Sequence, residues 1–128
     1  MKKSDQLIAI YKCLCDQTRL RMLHLLRQGP LCVCHFQSIL HLPQVAISKH
    51  LAYLKRNGLV TAKRHQQWMV YQLPAAMPRE LHAQLACLQD CVSDNPIFQK
   101  DLTQLRATSV EICLPKTETR SSKACCNS

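Results

Sequence analysis

The sequence predicts an α+β fold that is mainly α: a winged helix-turn-helix with a two-stranded β-wing and flanking dimerisation helices. Three observations carry this reading. Apolar residues recur at helical spacing from about residue 5 to about residue 57 and again from about Pro78 to about Arg106. Two helical segments, near 33–40 and 44–57, are separated only by His41-Leu42-Pro43. Two strand-like runs, Leu59-Val60-Thr61-Ala62 and Met69-Val70-Tyr71-Gln72-Leu73, follow directly and flank a basic stretch.

Each element has a local reason. Leu7, Ile8, Ile10, Tyr11 and Leu14 suit a short amphipathic helix over residues 5–14. Asp16 is a good N-cap for a second helix with Leu20, Met22, Leu23, Leu25 and Leu26 as its apolar positions. Gln28-Gly29-Pro30 ends it, because glycine suits the C′ position and proline cannot continue a helix. Val33, Phe36, Ile39 and Leu40 form the apolar face of the third helix. At about 100° per residue, Ile47, Leu51 and Leu54 share one face of the fourth. Val45, Lys49, Ala52 and Arg56 lie opposite, with Gln44 and Ser48 at the flank, and Asn57-Gly58 closes the segment. The two strands predict one hairpin whose tip is Lys63-Arg64-His65-Gln66-Gln67. Helical spacing returns from about Pro78 to Cys91 with Leu81, Leu85, Leu88 and Val92, and Pro96 opens a last short helix to about Arg106. Residues 1–107 are therefore expected to form one domain, and 108–128, polar and aperiodic, a disordered tail carrying Cys113, Cys125 and Cys126.

Composition narrows the function classes. With 47% apolar and 20% charged residues the chain is globular, while 5% aromatics and two glycines argue against an all-β sandwich or barrel. No apolar run approaches the ~18 residues that span a bilayer. The N-terminal apolar stretch, Leu7 to Ile10, is too short for a signal peptide, so a cytoplasmic location and no membrane partner are expected. The net charge of +9 is concentrated: Gln17 to Arg79 holds nine cations and no Asp or Glu, whereas the remainder carries eight of each sign. Solubility alone is poorly served by such asymmetry, and an anionic polymer is the better explanation.

A helix-turn-helix with a hairpin behind it, inside an acid-free block, points to double-stranded DNA. Gln44 and Ser48 can bond base edges and Val45 can meet a thymine methyl. Lys49, Arg56, Lys63 and Arg64 suit phosphates, which position a protein without reading sequence. The second constellation is Cys32-Val33-Cys34, at the start of the third helix. Two thiols so spaced can chelate from an extended or turn backbone. In a regular helix they would point roughly 200° apart, so ion binding is expected to distort the start of that helix. The plainer alternative is a pair of small buried hydrophobes.

The chain resembles the ArsR/SmtB family of metal-responsive repressors, closest to its arsenic-responsive branch. The likeness rests on Cys15-Asp16-Gln17-Thr18-Arg19-Leu20, Leu31-Cys32-Val33-Cys34, Ile47-Ser48-Lys49-His50-Leu51, Asn57-Gly58-Leu59-Val60 and Trp68 to Tyr71, and covers about residues 5–92. The resemblance implies a homodimer bound to an inverted-repeat operator until As(III) or Sb(III) reaches Cys32 and Cys34, with His50 counted in the DNA-binding helix. Where that branch commonly has a third cysteine, Gln37 stands, so Cys15 or Cys13 is the expected third ligand. Other inducers compatible with the same fold are Cd, Pb or Zn, or thiol oxidation linking Cys32 or Cys34 to Cys87 or Cys91. An enzyme is not expected: a thiol oxidoreductase would call for Cys-x-x-Cys and a parallel-strand pattern, and neither occurs.

Overall fold

Local sequence rules set several helix boundaries in the computed structural model, which describes residues 3–91 and 94–107. Helix α1 (Lys3–Leu14) leads to α2 (Gln17–Leu26), whose N-cap Asp16 accepts a hydrogen bond from the Arg19 amide at 3.1 Å. Strand β1 (Leu31–Cys32) follows Gly29, whose φ of +147° only glycine adopts readily. Helix α3 (Val33–Leu40) stops at His41, left-handed at φ +57°, and α4 (Gln44–Arg56) starts after Pro43. Strands β2 (Thr61–His65) and β3 (Trp68–Gln72) precede α5 (Arg79–Cys91) and α6 (Pro96–Ala107). The winged helix-turn-helix and its mainly helical class are as expected. Val92 and the expected tail, 108–128, lie outside the described residues.

Two features of the sheet differ from the sequence reading. It has three strands in the order β1-β3-β2, because Leu31 and Cys32 pair antiparallel with Tyr71 and Val70. A two-residue strand leaves no alternation to recognise, and its pairing is set by the fold around it. The basic residues are also not at the wing tip. Lys63, Arg64 and His65 lie in β2 opposite Val70, Met69 and Trp68, and Gln66 and Gln67 alone make the turn. Gln66 takes φ +61°, a left-handed conformation usually supplied by Gly or Asn, so the tight turn carried no composition signal.

Burial packs α3 and α4 into one core with α2. Ile47, Leu51 and Leu54, the predicted inner face of α4, are fully buried with Leu23, Leu25 and Phe36 from α2 and α3. The same core takes in Ile10, Leu81, Leu85 and Leu105 from the flanking helices. Helix α6 is tied to α2 by a bidentate pair, Arg21 Nε and Nη2 each donating at 2.8 Å to the Asp101 carboxylate, which is 2% exposed. That hydrogen bonding pushes the Arg21 pKa above its ordinary value. Beside it, buried His24 meets the Phe98 ring edge-on, and burial holds its pKa below that of an ordinary histidine.

Removing one partner of a buried pair strands the other charge. Arg21→Ala is expected to cost about 3–5 kcal/mol in urea unfolding, whereas the apolar double replacement Arg21→Met/Asp101→Leu recovers most of that loss. A single variant as stable as the wild type would show that α6 is held by apolar contacts alone.

Candidate thiol site and nucleic-acid interface

Cys32 is both the last residue of β1 and the N-cap of α3, with extended backbone at φ −106° and ψ 172°. Being outside the helix, it is not bound by helical spacing, and its Sγ lies 3.1 Å from that of Cys34. This corrects the expectation that gathering the two sulfurs must distort α3: they are already together. His35, one helical position on from Cys34, completes the group. Its Nδ1 accepts the Cys32 amide hydrogen at 3.0 Å and lies 3.4 Å from Cys32 Sγ. Accepting that bond requires an unprotonated Nδ1, so the neutral ring carries its proton on Nε2. The three donor atoms fall within 4.8 Å of one another, and this is the one such group among the described residues.

His35 is 1% exposed and Cys32 2%; burial pushes the Cys32 thiol pKa up, with backbone hydrogen bonds pulling the other way. Chelation by both sulfurs requires the reduced protein. The donor set, two sulfurs and an imidazole nitrogen, fits a thiophilic ion. Sequence reasoning passed over His35 because it sought a third sulfur. The signal was Cys32-x-x-His35, the spacing of a capping box with cysteine and histidine in place of the usual hydroxyl and amide.

Neither expected third ligand joins this group. Cys13 is wholly buried in the core; burial raises its thiol pKa, opposed by Arg19 and Arg56, and its carbonyl accepts from Arg19 Nε at 3.0 Å. Cys15 is exposed at the α1–α2 turn. Cys87 and Cys91 form a separate exposed pair on α5, sulfurs 3.7 Å apart, and hydrogen bonding to Cys87 raises the Cys91 pKa.

On α4, Gln44, Val45, Ser48 and Lys49 are exposed along one face, Val45 at 68%, and His50 is half-buried. A large exposed apolar side chain on an otherwise polar helix face is what contact with a base methyl requires. Lys63 and Arg64 are exposed on β2. Arg56 lies over the Tyr53 ring at 5.4 Å with Arg19 over it at 4.4 Å, which fixes a cationic corner at the end of α4. A cavity of about 530 Å³ connects the two surfaces, lined among others by Cys32, Cys34, Gln44, Ser48, Trp68 and Tyr71. The thiols, the start of α4 and the wing thus share one space.

A family model for bacterial regulatory proteins of the arsR family matches residues 16–62. The chain is 42% identical over 82 residues to an arsenic resistance transcriptional regulator of Pseudomonas putida, ArsR1, covering 63% of this chain and 64% of that protein. It thus spans a little under two thirds of that relative's length. Among solved structures, HlyU from Vibrio cholerae is 33% identical with a TM-score of 0.63, covering 71% of this chain and 97% of that one. A homodimeric winged helix-turn-helix DNA-binding domain from Mycobacterium bovis, a possible ArsR-family transcriptional regulator, is 27% identical with a TM-score of 0.59, covering 69% and 79%. The first of these is a transcriptional regulator and the last a DNA-binding domain of the same winged helix-turn-helix architecture. No helix among the described residues is long and apolar enough to cross a membrane.

Exposure and thiol pKa together predict an order of reactivity. In reduced protein near neutral pH, a maleimide should label Cys15 and Cys87 well before Cys32 and Cys13, since burial both shields the latter and disfavours their thiolates. Peptide mass spectrometry at short times reads this directly; early labelling of Cys32 would contradict the burial of the site.

Proposed function

The chain belongs to the arsR family of bacterial regulatory proteins, and from that premise we propose that it is a homodimeric, cytoplasmic DNA-binding repressor that leaves its operator when As(III) or Sb(III) is held by Cys32 and Cys34. The observation that carries this reading is the pair of sulfurs 3.1 Å apart on a cavity that reaches the exposed start of α4. Thiolates are soft donors and suit these ions far better than carboxylates or amides do. Arsenous acid would exchange two hydroxides for two thiolates, with the thiol protons leaving in two waters and one hydroxide staying on arsenic.

Ligand binding shifts an equilibrium only if the two states hold the ligand differently. Cys32 supplies a route to such a difference. It caps α3, which leads through His41-Leu42-Pro43 into α4, and it is paired with Val70, which on its other side faces Lys63. A second reading is release by thiol oxidation, for which the exposed Cys87 and Cys91 sulfurs, 3.7 Å apart, are the accessible pair; parallel titrations of the protein–DNA complex with arsenite and with peroxide separate the two.

On DNA, two protomers would place two α4 helices about one turn apart and call for an inverted repeat. The basic block between Gln17 and Arg79 supplies the phosphate contacts. Lys63→Ala/Arg64→Ala is expected to weaken binding to specific and random DNA alike and to flatten the salt dependence, by roughly 0.9 in slope for each phosphate no longer neutralised. Gln44→Ala or Ser48→Ala should instead change sequence preference, at about 1–3 kcal/mol for each base edge no longer read. Fluorescence anisotropy across salt concentrations tests both, and equal weakening on both DNAs for both sets would refute the division.

For the thiol site, Cys32→Ser and Cys34→Ser should keep operator binding and lose arsenite-driven release, because a hydroxyl of nearly the same size is a poor ligand for As(III). Release of either variant at the wild-type arsenite concentration would place the sensing site elsewhere.

A further inference from the structure

The third position beside the two sulfurs is filled by a nitrogen that already has work in the fold. We propose that His35 Nδ1 is the third donor of the Cys32–Cys34 site, that it admits a divalent thiophilic ion such as Cd(II), and that its lone pair alternates between capping α3 and holding the ion. This rests on the proposed ligand-binding role of the two thiols and adds the residue that couples it to the backbone.

The valence of the imidazole sets the constraint. Nδ1 of a neutral ring protonated at Nε2 has a single in-plane lone pair. That lone pair points at the Cys32 amide hydrogen, 3.0 Å away between heavy atoms, with Cys32 Sγ at 3.4 Å. A metal bond from the same atom requires the same lone pair. The two uses therefore exclude each other, and an ion drawn in by the sulfurs competes with the helix cap for His35. The distances demand little travel, since all three donor atoms are within 4.8 Å. Nor does the ring have other room to move in: it is 1% exposed at the junction of β1 and α3.

The donor chemistry separates two classes of ligand. Arsenic in arsenous acid can retain a hydroxide after two thiolates bind, so it can do without a third protein donor. A bare divalent cation has no such group. It displaces two thiol protons, gains two anionic sulfurs, and is better satisfied by a neutral imidazole nitrogen as well. His35 is thus a specificity-determining residue for divalent ions, and the cap hydrogen bond is what such an ion must break.

The test uses the reduced, full-length, isotope-labelled protein titrated with an NMR-active cadmium isotope. Binding should move the His35 Nδ1 resonance and give a scalar coupling between cadmium and that nitrogen, while the Cys32 amide proton loses its hydrogen-bonded shift. Absence of the coupling at saturating cadmium overturns the proposal without any variant. His35→Asn supplies an independent arm. Its amide oxygen can still accept the Cys32 amide hydrogen, so operator binding should persist, but it lacks the imine nitrogen. Cadmium affinity should fall by about tenfold or more, while arsenite-driven release stays within about threefold. Unchanged cadmium affinity also overturns the assignment. The two readings fail separately: cadmium coupling to His35 in the wild type, with arsenite release retained by Cys32→Ser/Cys34→Ser, would support the nitrogen donor and sink the proposed metalloid response.

Discussion

One hydrogen bond, from the Cys32 amide to His35 Nδ1, holds the junction on which the candidate site depends. It satisfies a buried donor at the start of α3, where four amides otherwise have no partner within the helix. It also keeps Cys32 extended, and extension is what allows its side chain to turn back onto that of Cys34. In the same conformation the residue lies against Val70 as the end of a third strand. A helical Cys32 would lose the strand pairing and separate the sulfurs at once. The cap, the sheet edge and the dithiol are therefore three consequences of a single backbone conformation.

That arrangement puts Cys32 directly beside Val70 of the wing and at the head of the helix that leads into α4. Val70 is shared: β1 takes one edge of it and β2, with Lys63, the other. The helix that starts at Cys32 ends at a left-handed His41, and three residues later α4 begins. Interiors at native packing density transmit small displacements rather than absorb them. Fully buried Phe36, Ile47 and Leu51 give α3 and α4 such an interior. The charge distribution completes the division of labour, because a block without acidic residues can face an anionic polymer, and Asp101 of α6, which packs against that block, is buried on Arg21.

Helix positions were legible where a cap or breaker marked them: Asp16 caps α2, and Asn57-Gly58 ends α4 with Gly58 at φ +81°, whereas Gly29, expected at C′ of α2, stands one residue beyond it because Arg27 is the C-cap. The inner face of α4 was legible for the same reason, from spacing alone. The wing was read with its cations too near the tip, since Gln66 adopts a conformation that its side chain does not advertise. Strand β1 was missed because two residues have no period. The thiols were found by their spacing, but the backbone that gathers them was not, and His35 was hidden by a search for sulfur. Its role depends on being at the third position of a helix whose first residue could be located only after the strand before it was known.

The gathered sulfurs also change where a switch can draw its energy. If the thiols were apart in the resting protein, closing them would itself supply the difference between states. With Sγ atoms already 3.1 Å apart, closing them supplies little of that difference. For a divalent ion held by His35, the difference comes from the interaction that the ion disrupts, and the Cys32 amide is the group at stake. Leaving a buried donor without its acceptor costs about 1–3 kcal/mol, which corresponds to roughly 5- to 150-fold in an equilibrium. The amide recovers that cost only if the junction shifts to let water or another acceptor in, and such a shift displaces the start of α3 and the edge of β3 together. In a dimer each protomer contributes the same increment. A site that looks preorganised for its ligand can thus still act as a switch, provided that one of its donors is also part of the fold.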